Sequence, residues 1–317
     1  MKQKIDNQDS LDDSLKLLVK TSLIVFIGLV ISKIMTYFYR IIIARFLGPE
    51  IYGIFSLASM IFGWFTAIFL FGLADGLLRY VSLYRAKKDN SEINYLIRKT
   101  TWILSISSIF SAAVLFFLSE FISINFFHNT ELIIYLKIFS IALPFWIFAC
   151  LFLSVIRAYE RISAYSMIFN IIQNISKLAV LVLLILMGLR NMAVIFSFTI
   201  GTMIVLVCSY IYCRKNFPEM FKGKKANLAG KKLFRSLISY SVPIMFFGVI
   251  SSLFYWIDSF LLGYFKGVVE VGFYNAAIPI ASLLTLSSEI FIQLFFPLVT
   301  KYYSQGKLSL INDISKQ

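Results

Sequence analysis

The chain has 317 residues, 59% of them hydrophobic and 17% aromatic, with a mean hydropathy of +0.83 and a formal net charge of +14. A soluble domain of this length has no interior large enough for so much apolar surface, so the bilayer is its natural solvent. Three cysteines (Cys150, Cys208, Cys213) lie in or beside apolar runs without metal-like spacing, and the single histidine, His128, excludes a histidine metal cluster within one chain. Buried structural thiols are expected, and no cofactor.

The first sixteen residues, "MKQKIDNQDSLDDSLK", form a polar tail of mixed charge. They lack the apolar core of a cleavable signal, so the first apolar run is expected to remain as a membrane helix. Eight hydrophobic helices follow, predicted over 17–47, 51–84, 96–119, 132–157, 164–188, 192–213, 233–265 and 271–303. Several exceed the roughly 20 residues needed to span, so they tilt or extend beyond the hydrocarbon. Basic residues collect in alternate connections: Arg85, Lys87, Lys88, Arg98 and Lys99, then Arg157 and Arg161, then the tract from Arg214 to Arg235, then Lys301, Lys307 and Lys316. The remaining connections are nearly bare of them. This asymmetry predicts that both termini are cytoplasmic. The positive charge is thus a topology signal; nucleic-acid binding would need a basic surface with a folded reader, and none is visible.

The first predicted helix carries an unusual stretch, "GLVISKIMTYFYRIIIARFLG". Lys33 and Arg40 are seven residues apart, nearly two turns, and with Ser22, Thr36 and Tyr37 they form one polar stripe. A charge at mid-membrane costs about 2.5–3.5 kcal/mol on the translocon scale, so Lys33 should face a cavity or a partner. One reading is a cationic wall for an anionic head group, with Arg gripping phosphate through paired donors. The other is a buried ion pair, or snorkelling of Arg40 to the interface. In the fifth helix Ser163, Ser166, Asn170, Gln173, Asn174 and Lys177 form a second stripe, either hydrogen-bonding glue between helices or, with Lys177, a cavity wall. Asp75 and Arg79, four apart, read as a helical salt bridge, beside the small-residue face of Gly72 and Gly76; Arg79 could also meet an anion arriving from the cytoplasm. Asp258 and Glu289 are the notable acids of the last two helices, either ion-pair partners or carriers of a coupling proton or sodium ion.

An internal repeat runs at an offset of 219: residues 44–61, "ARFLGPEIYGIFSLASMI", fall without a gap on 263–280, "GYFKGVVEVGFYNAAIPI". Gly48 meets Gly267 and Gly53 meets Gly272, whereas Lys33 and Arg40 fall on Ser252 and Ser259. Six helices separate the copies, so the repeats are parallel, about an axis along the membrane normal. The expected fold is all-α: a polytopic transmembrane bundle with a cytoplasmic tail (1–16), a complete six-helix first lobe (17–213), a basic cytoplasmic linker (214–232) and a partial second lobe of two helices and a basic tail (233–317). Equal lobes would need about 100 more residues, so a missing C-terminal half or a second subunit is an expected partner.

The motifs "RFLGPEIYGIFSLA", "GLADGLLRYVSLYRAKKD", "WIDSFLLGYFKGVVEVGFYNAAIPIASLL" and "FPLVTKYYSQGK" resemble those of polysaccharide-biosynthesis flippases, within the multidrug, oligosaccharidyl-lipid and polysaccharide exporter superfamily. The resemblance implies a two-lobed bundle whose central cavity moves an anionic lipid-linked oligosaccharide between leaflets of the cell membrane, alongside polysaccharide assembly enzymes. Its cavity candidates here are Lys33, Tyr37, Arg40, Arg79, Asn174 and Lys177; Asp75, Asp258 and Glu289 are coupling or ion-pair candidates. A multidrug or organic-cation antiporter of the same superfamily would prefer an acidic cavity. A membrane transferase would need a clustered acid–base or metal site, and the carboxylates are too scattered for one, so no enzymatic activity is expected. A non-transporting assembly partner is a further alternative.

Overall fold

A computed structural model of the chain describes residues 26–87, 89–221 and 229–281. Among these residues every regular element is helical, and seven helices are long and apolar enough to cross a membrane. The protein is a multi-pass membrane helix bundle. We label its helices α1 (Phe26–Leu47), α2 (Pro49–Phe69), α3 (Leu73–Ala86), α4 (Asn90–Asn125), α5 (Glu131–Ala158), α6 (Ile162–Leu186), α7 (Arg190–Asn216), α8 (Ala229–Phe265) and α9 (Val268–Ala281). Glu289 and the last predicted helix beyond residue 281 lie outside the described residues, as do Ser22 and the centre of the basic linker.

The turn from α1 into α2 follows directly from "LGPE". Gly48 adopts φ 95°, a region that favours glycine, and Pro49 opens α2 at a position where a missing N–H costs nothing. The same turn recurs between α8 and α9, where Gly267 adopts φ 107°.

The single helix predicted over 51–84 is two helices. α2 has 21 residues, about 31 Å at 1.5 Å per residue, which already crosses the hydrocarbon. The chain then breaks through Phe71 (φ 52°) and Gly72 (φ 63°) before α3 begins. The carbonyl of Phe69, freed at the break, accepts the Ser107 hydroxyl of α4 at 2.6 Å. The break sets the backbone of α3 against α8. A Cβ on Gly72 would collide with the Ser241 carbonyl oxygen, and one on Gly76 with the Ser241 hydroxyl. Close backbone approach, rather than helix length, decides the geometry here.

α5 lies at the centre of the bundle, packed against α2, α3, α4 and α7, while α6 pairs with α7, and α8 lies along α2 and α3. Two apolar clusters fill the interior. One joins the first halves of α2 and α5 through Tyr52, Leu57, Phe139 and Leu143; the other joins α3 to the second halves of α5 and α7 through Leu77, Leu151, Val155 and Val205. The surface inverts the soluble pattern. α4 buries Ser108, Ser111, Ser119 and Ser123 completely and presents Trp102, Ile109, Phe110 and Phe117 outward. Small hydroxyl side chains allow close helix contact, and Ser108, Ser111 and Ser119 return their hydrogen bonds to their own helix, Ser111 to the Ser108 carbonyl at 2.8 Å.

Candidate functional site

α1 is held to α6 by the polar residues of both stripes. Asn174 is the centre of this seam: its amide nitrogen donates to Ser32 Oγ and to the Asn170 carbonyl, both at 2.8 Å, and its oxygen accepts from Thr36 Oγ1 at 3.1 Å. One turn away Asn170 donates to Ser166 Oγ at 3.0 Å, and Gly28 leaves the room that this hydroxyl occupies. The seam fixes the rotation of α1 about its axis. A π-helical turn at Met167–Ile172 falls within the seam on α6, around Asn170, and a second, at Ile43–Leu47, follows it in α1; each shifts the helical register.

That rotation turns the cations of α1 into two adjoining cavities. The larger, about 570 Å³, is lined by Lys33, Tyr37 and Arg40 of α1 and closed by Tyr255 of α8 and Ile278 and Pro279 of α9. The smaller, about 190 Å³, lies deeper. Thr36 and Arg40 line both, so Arg40 stands in the wall between them. The inner cavity is bounded by Tyr39 of α1, by Tyr52, Phe55, Ser56 and Ser59 of α2, by Asn174 and Lys177 of α6, by Phe198 of α7, by Trp256 of α8 and by Asn275 of α9. Lys177 extends along the surface of α7, where Gly201 has no side chain to obstruct it. Its ammonium sits 4.6 Å from the Phe198 ring centroid and donates to the Gln173 side-chain oxygen at 3.1 Å, once that amide is oriented to donate to the Phe169 carbonyl. Tyr39 and Tyr52 are spent on structure. Tyr39 shares a hydrogen bond with Ser197 Oγ at 3.0 Å, and the Tyr52 hydroxyl donates to the Asn275 carbonyl at 3.1 Å.

The inner cavity lies beside a crossing of α2 and α9. A Cβ on Gly53 would collide with the Val268 carbonyl oxygen, and one on Gly272 with the Pro49 carbonyl oxygen. The collisions are reciprocal, because Pro49 and Val268, like Gly53 and Gly272, stand 219 residues apart. One turn further along lie Ser56 and Asn275, again 219 apart, and both line the inner cavity.

Of the residues singled out from sequence, Lys33, Tyr37, Arg40, Asn174 and Lys177 therefore gather around the two cavities. Arg79 does not join them. Among the described residues it forms no ion pair with Asp75; its guanidinium lies 4.2 Å from the centroid of the Tyr240 ring on α8. The expected Asp75–Arg79 bridge is thus replaced by a cation–aromatic contact between helices, which the backbone approach of α3 to α8 brings within reach. Asp258 lines neither cavity and accepts the Tyr274 hydroxyl at 2.8 Å. Sequence reasoning missed Phe198, Trp256 and Asn275. The repeat register could have found Asn275, as the counterpart of Ser56 beside the glycine turn.

The described helices form a polytopic membrane bundle with a cationic, largely aromatic-walled cavity between helices of the two sequence repeats. The sequence profile of polysaccharide biosynthesis proteins matches residues 18–303, and the chain belongs to that family. It is 23% identical over 245 residues to "Putative O-antigen transporter" of Shigella flexneri, covering 74% of this chain and 55% of that protein. It is 27% identical over 133 residues to "Lipid II flippase MurJ" of Bacillus subtilis (strain 168), covering 37% of this chain and 24% of that one. A solved structure named "protein A" matches with a TM-score of 0.63 at 18% identity, over 91% of this chain and 65% of that chain, a likeness of fold. The chain thus spans about half the length of the Shigella relative.

Proposed function

We propose that the protein takes part in flipping an anionic lipid-linked oligosaccharide across the cell membrane by alternating access. The observation that carries this reading is the convergence of Lys33, Arg40 and Lys177 on two adjoining cavities inside a membrane bundle. A polar head group cannot cross hydrocarbon unaided, whereas a cationic cavity offsets its desolvation and leaves the tail in lipid. In this reading Arg40 and Lys33 hold the diphosphate, and Asn174 positions α1 rather than touching substrate. Arg79 receives the anion at the cytoplasmic entrance, while Asp75, Asp258 and Glu289 serve ion coupling. No chemical change of the substrate is required. In this reading both termini and the 222–232 tract lie in the cytoplasm, which the alternation of basic loops supports. The family, and relatives named as an O-antigen transporter and a lipid II flippase, support the substrate class.

Reconstitution in vesicles with a fluorescent polyprenyl-diphosphate oligosaccharide tests the reading. Arg40→Ala should lower the flipping rate at least about tenfold, the loss of one charge-assisted contact, at unchanged protein abundance. Flipping at the unaltered rate would remove the cationic wall from the mechanism. Single cysteines at Lys224 and His128, in a background without natural cysteines, should label from opposite sides; labelling from one side would overturn the topology.

A further inference from the structure

The inner cavity asks for more than a phosphate. Two of its cations, Arg40 and Lys177, have no carboxylate partner among the described residues. Lys177 is held by the face of Phe198 and an amide oxygen, neither of which neutralises its charge. Two uncharged acceptors also remain unspent: Ser59 Oγ is buried without a hydrogen-bond partner, and Asn275 uses its nitrogen on Ser259 and Val271 while its side-chain oxygen accepts nothing among the described residues. The remaining wall is mostly aromatic, with Thr36, Ser56 and Asn174 among the rings. At about 190 Å³ the space lies below the roughly 300–1,000 Å³ of pockets that hold drug-sized ligands, so a single ring fills it.

Order along the ligand assigns the occupant. The tail stays in lipid, the diphosphate follows it, and the first sugar follows the diphosphate. Arg40 stands between the cavities, so a diphosphate held by Lys33 and Arg40 sends the first sugar past Arg40 into the inner cavity. A neutral ring would leave the Lys177 charge uncompensated within the membrane, which is costly. We propose that the inner cavity is a subsite for one acidic sugar ring, its apolar face on Trp256 and its carboxylate on Lys177, whose ammonium the Phe198 ring supports. This rests on the flippase reading above and adds to it a preference for a carboxylate on the first sugar.

The test is equilibrium binding of two synthetic lipids to the purified protein in detergent: a polyprenyl diphosphate bearing one glucuronic acid, and the same lipid bearing one glucose. The glucuronosyl lipid should bind at least about tenfold more tightly, the worth of one charge-assisted hydrogen bond. Lys177→Gln should bring the ratio of the two affinities to about one, and Phe198→Leu, a milder change, should reduce it. Equal affinities in the unaltered protein, or a ratio that survives Lys177→Gln, overturn the subsite while leaving the flippase reading in place. Failure of both lipids to bind defeats both.

Discussion

The two copies of the internal repeat share a backbone and differ in chemistry. Gly48 and Gly267 make the same left-handed turn, and Gly53 and Gly272 make the same close approach, each to the other copy. Yet the first copy carries Lys33, Tyr37 and Arg40 where the second carries Ser252, Trp256 and Ser259. A packing device that serves both halves must be kept twice, because each glycine accommodates its counterpart's carbonyl. A binding device need exist only once, since both halves face the same cavities. On the proposed function, the repeated positions mark architecture and the unrepeated ones mark the ligand.

The strongest way to break this comparison is at the crossing. Gly53→Val and Gly272→Val should each destabilise the protein by about 3 kcal/mol or more, at the upper end of overpacking costs, and lower its melting temperature in detergent. The double variant should cost clearly less than the sum of the two, because both disrupt one contact. Simple additivity would mean that the reciprocal approach is not a single packing unit.

Next in size is the charge asymmetry. Lys33→Ala should reduce flipping several-fold at normal abundance, and Lys33→Arg should retain part of the activity. Ser252→Ala, its counterpart, should leave the rate within about twofold. Parallel loss of protein and activity in Lys33→Ala would identify a structural ion pair instead.

A smaller effect is expected at the α1–α6 seam. Asn174→Leu removes three hydrogen bonds worth about 0.6 kcal/mol each in membrane bundles, so a loss of about 2 kcal/mol is expected in a denaturation series. Arg40→Ala combined with Asn174→Leu should lower transport no further than Arg40→Ala alone, if the seam acts by orienting α1.

The smallest effect concerns Asp89, at the start of α4 and far from the cavities. The Ser91 hydroxyl at 2.7 Å, helped by the Glu92 amide, holds its carboxyl below the ordinary value of 3.8. A carboxylate depressed in the folded state contributes stability above that ordinary value, and the contribution is lost as pH falls through the lower folded value. Asp89→Asn should flatten this acid-side slope slightly and leave transport unchanged; an unchanged slope would show that the cap carries no linkage.

Much of this architecture was legible in the sequence. Apolar length set the spans, and "LGPE" set the α1–α2 turn. The cations of α1 stood out because mid-membrane charge needs a reason. What could not be read was anything decided by contact between distant segments. The break at Phe71 follows from where α3 must touch α8. Arg79 turns to Tyr240 for the same reason, although Asp75 stands four residues away. The π-helical turns move side chains around their helices by an amount that no regular period reports, so the sharing of Arg40 between two cavities was invisible. Trp256 and Phe198 were hidden by their company, being apolar residues in apolar runs.

The crossing of α2 and α9 also has a mechanical consequence. Backbone resting on backbone has no side chain to compress, so the contact behaves as a hard bearing. Relative motion of these helices is therefore rotation about a fixed point near one end of each. A turn of about 10° about Gly53 carries the far end of α2, at Phe69 about 24 Å away, through about 4 Å. The inner cavity, one turn from the bearing, would change shape little, while the larger cavity, further along the lever, would open or close.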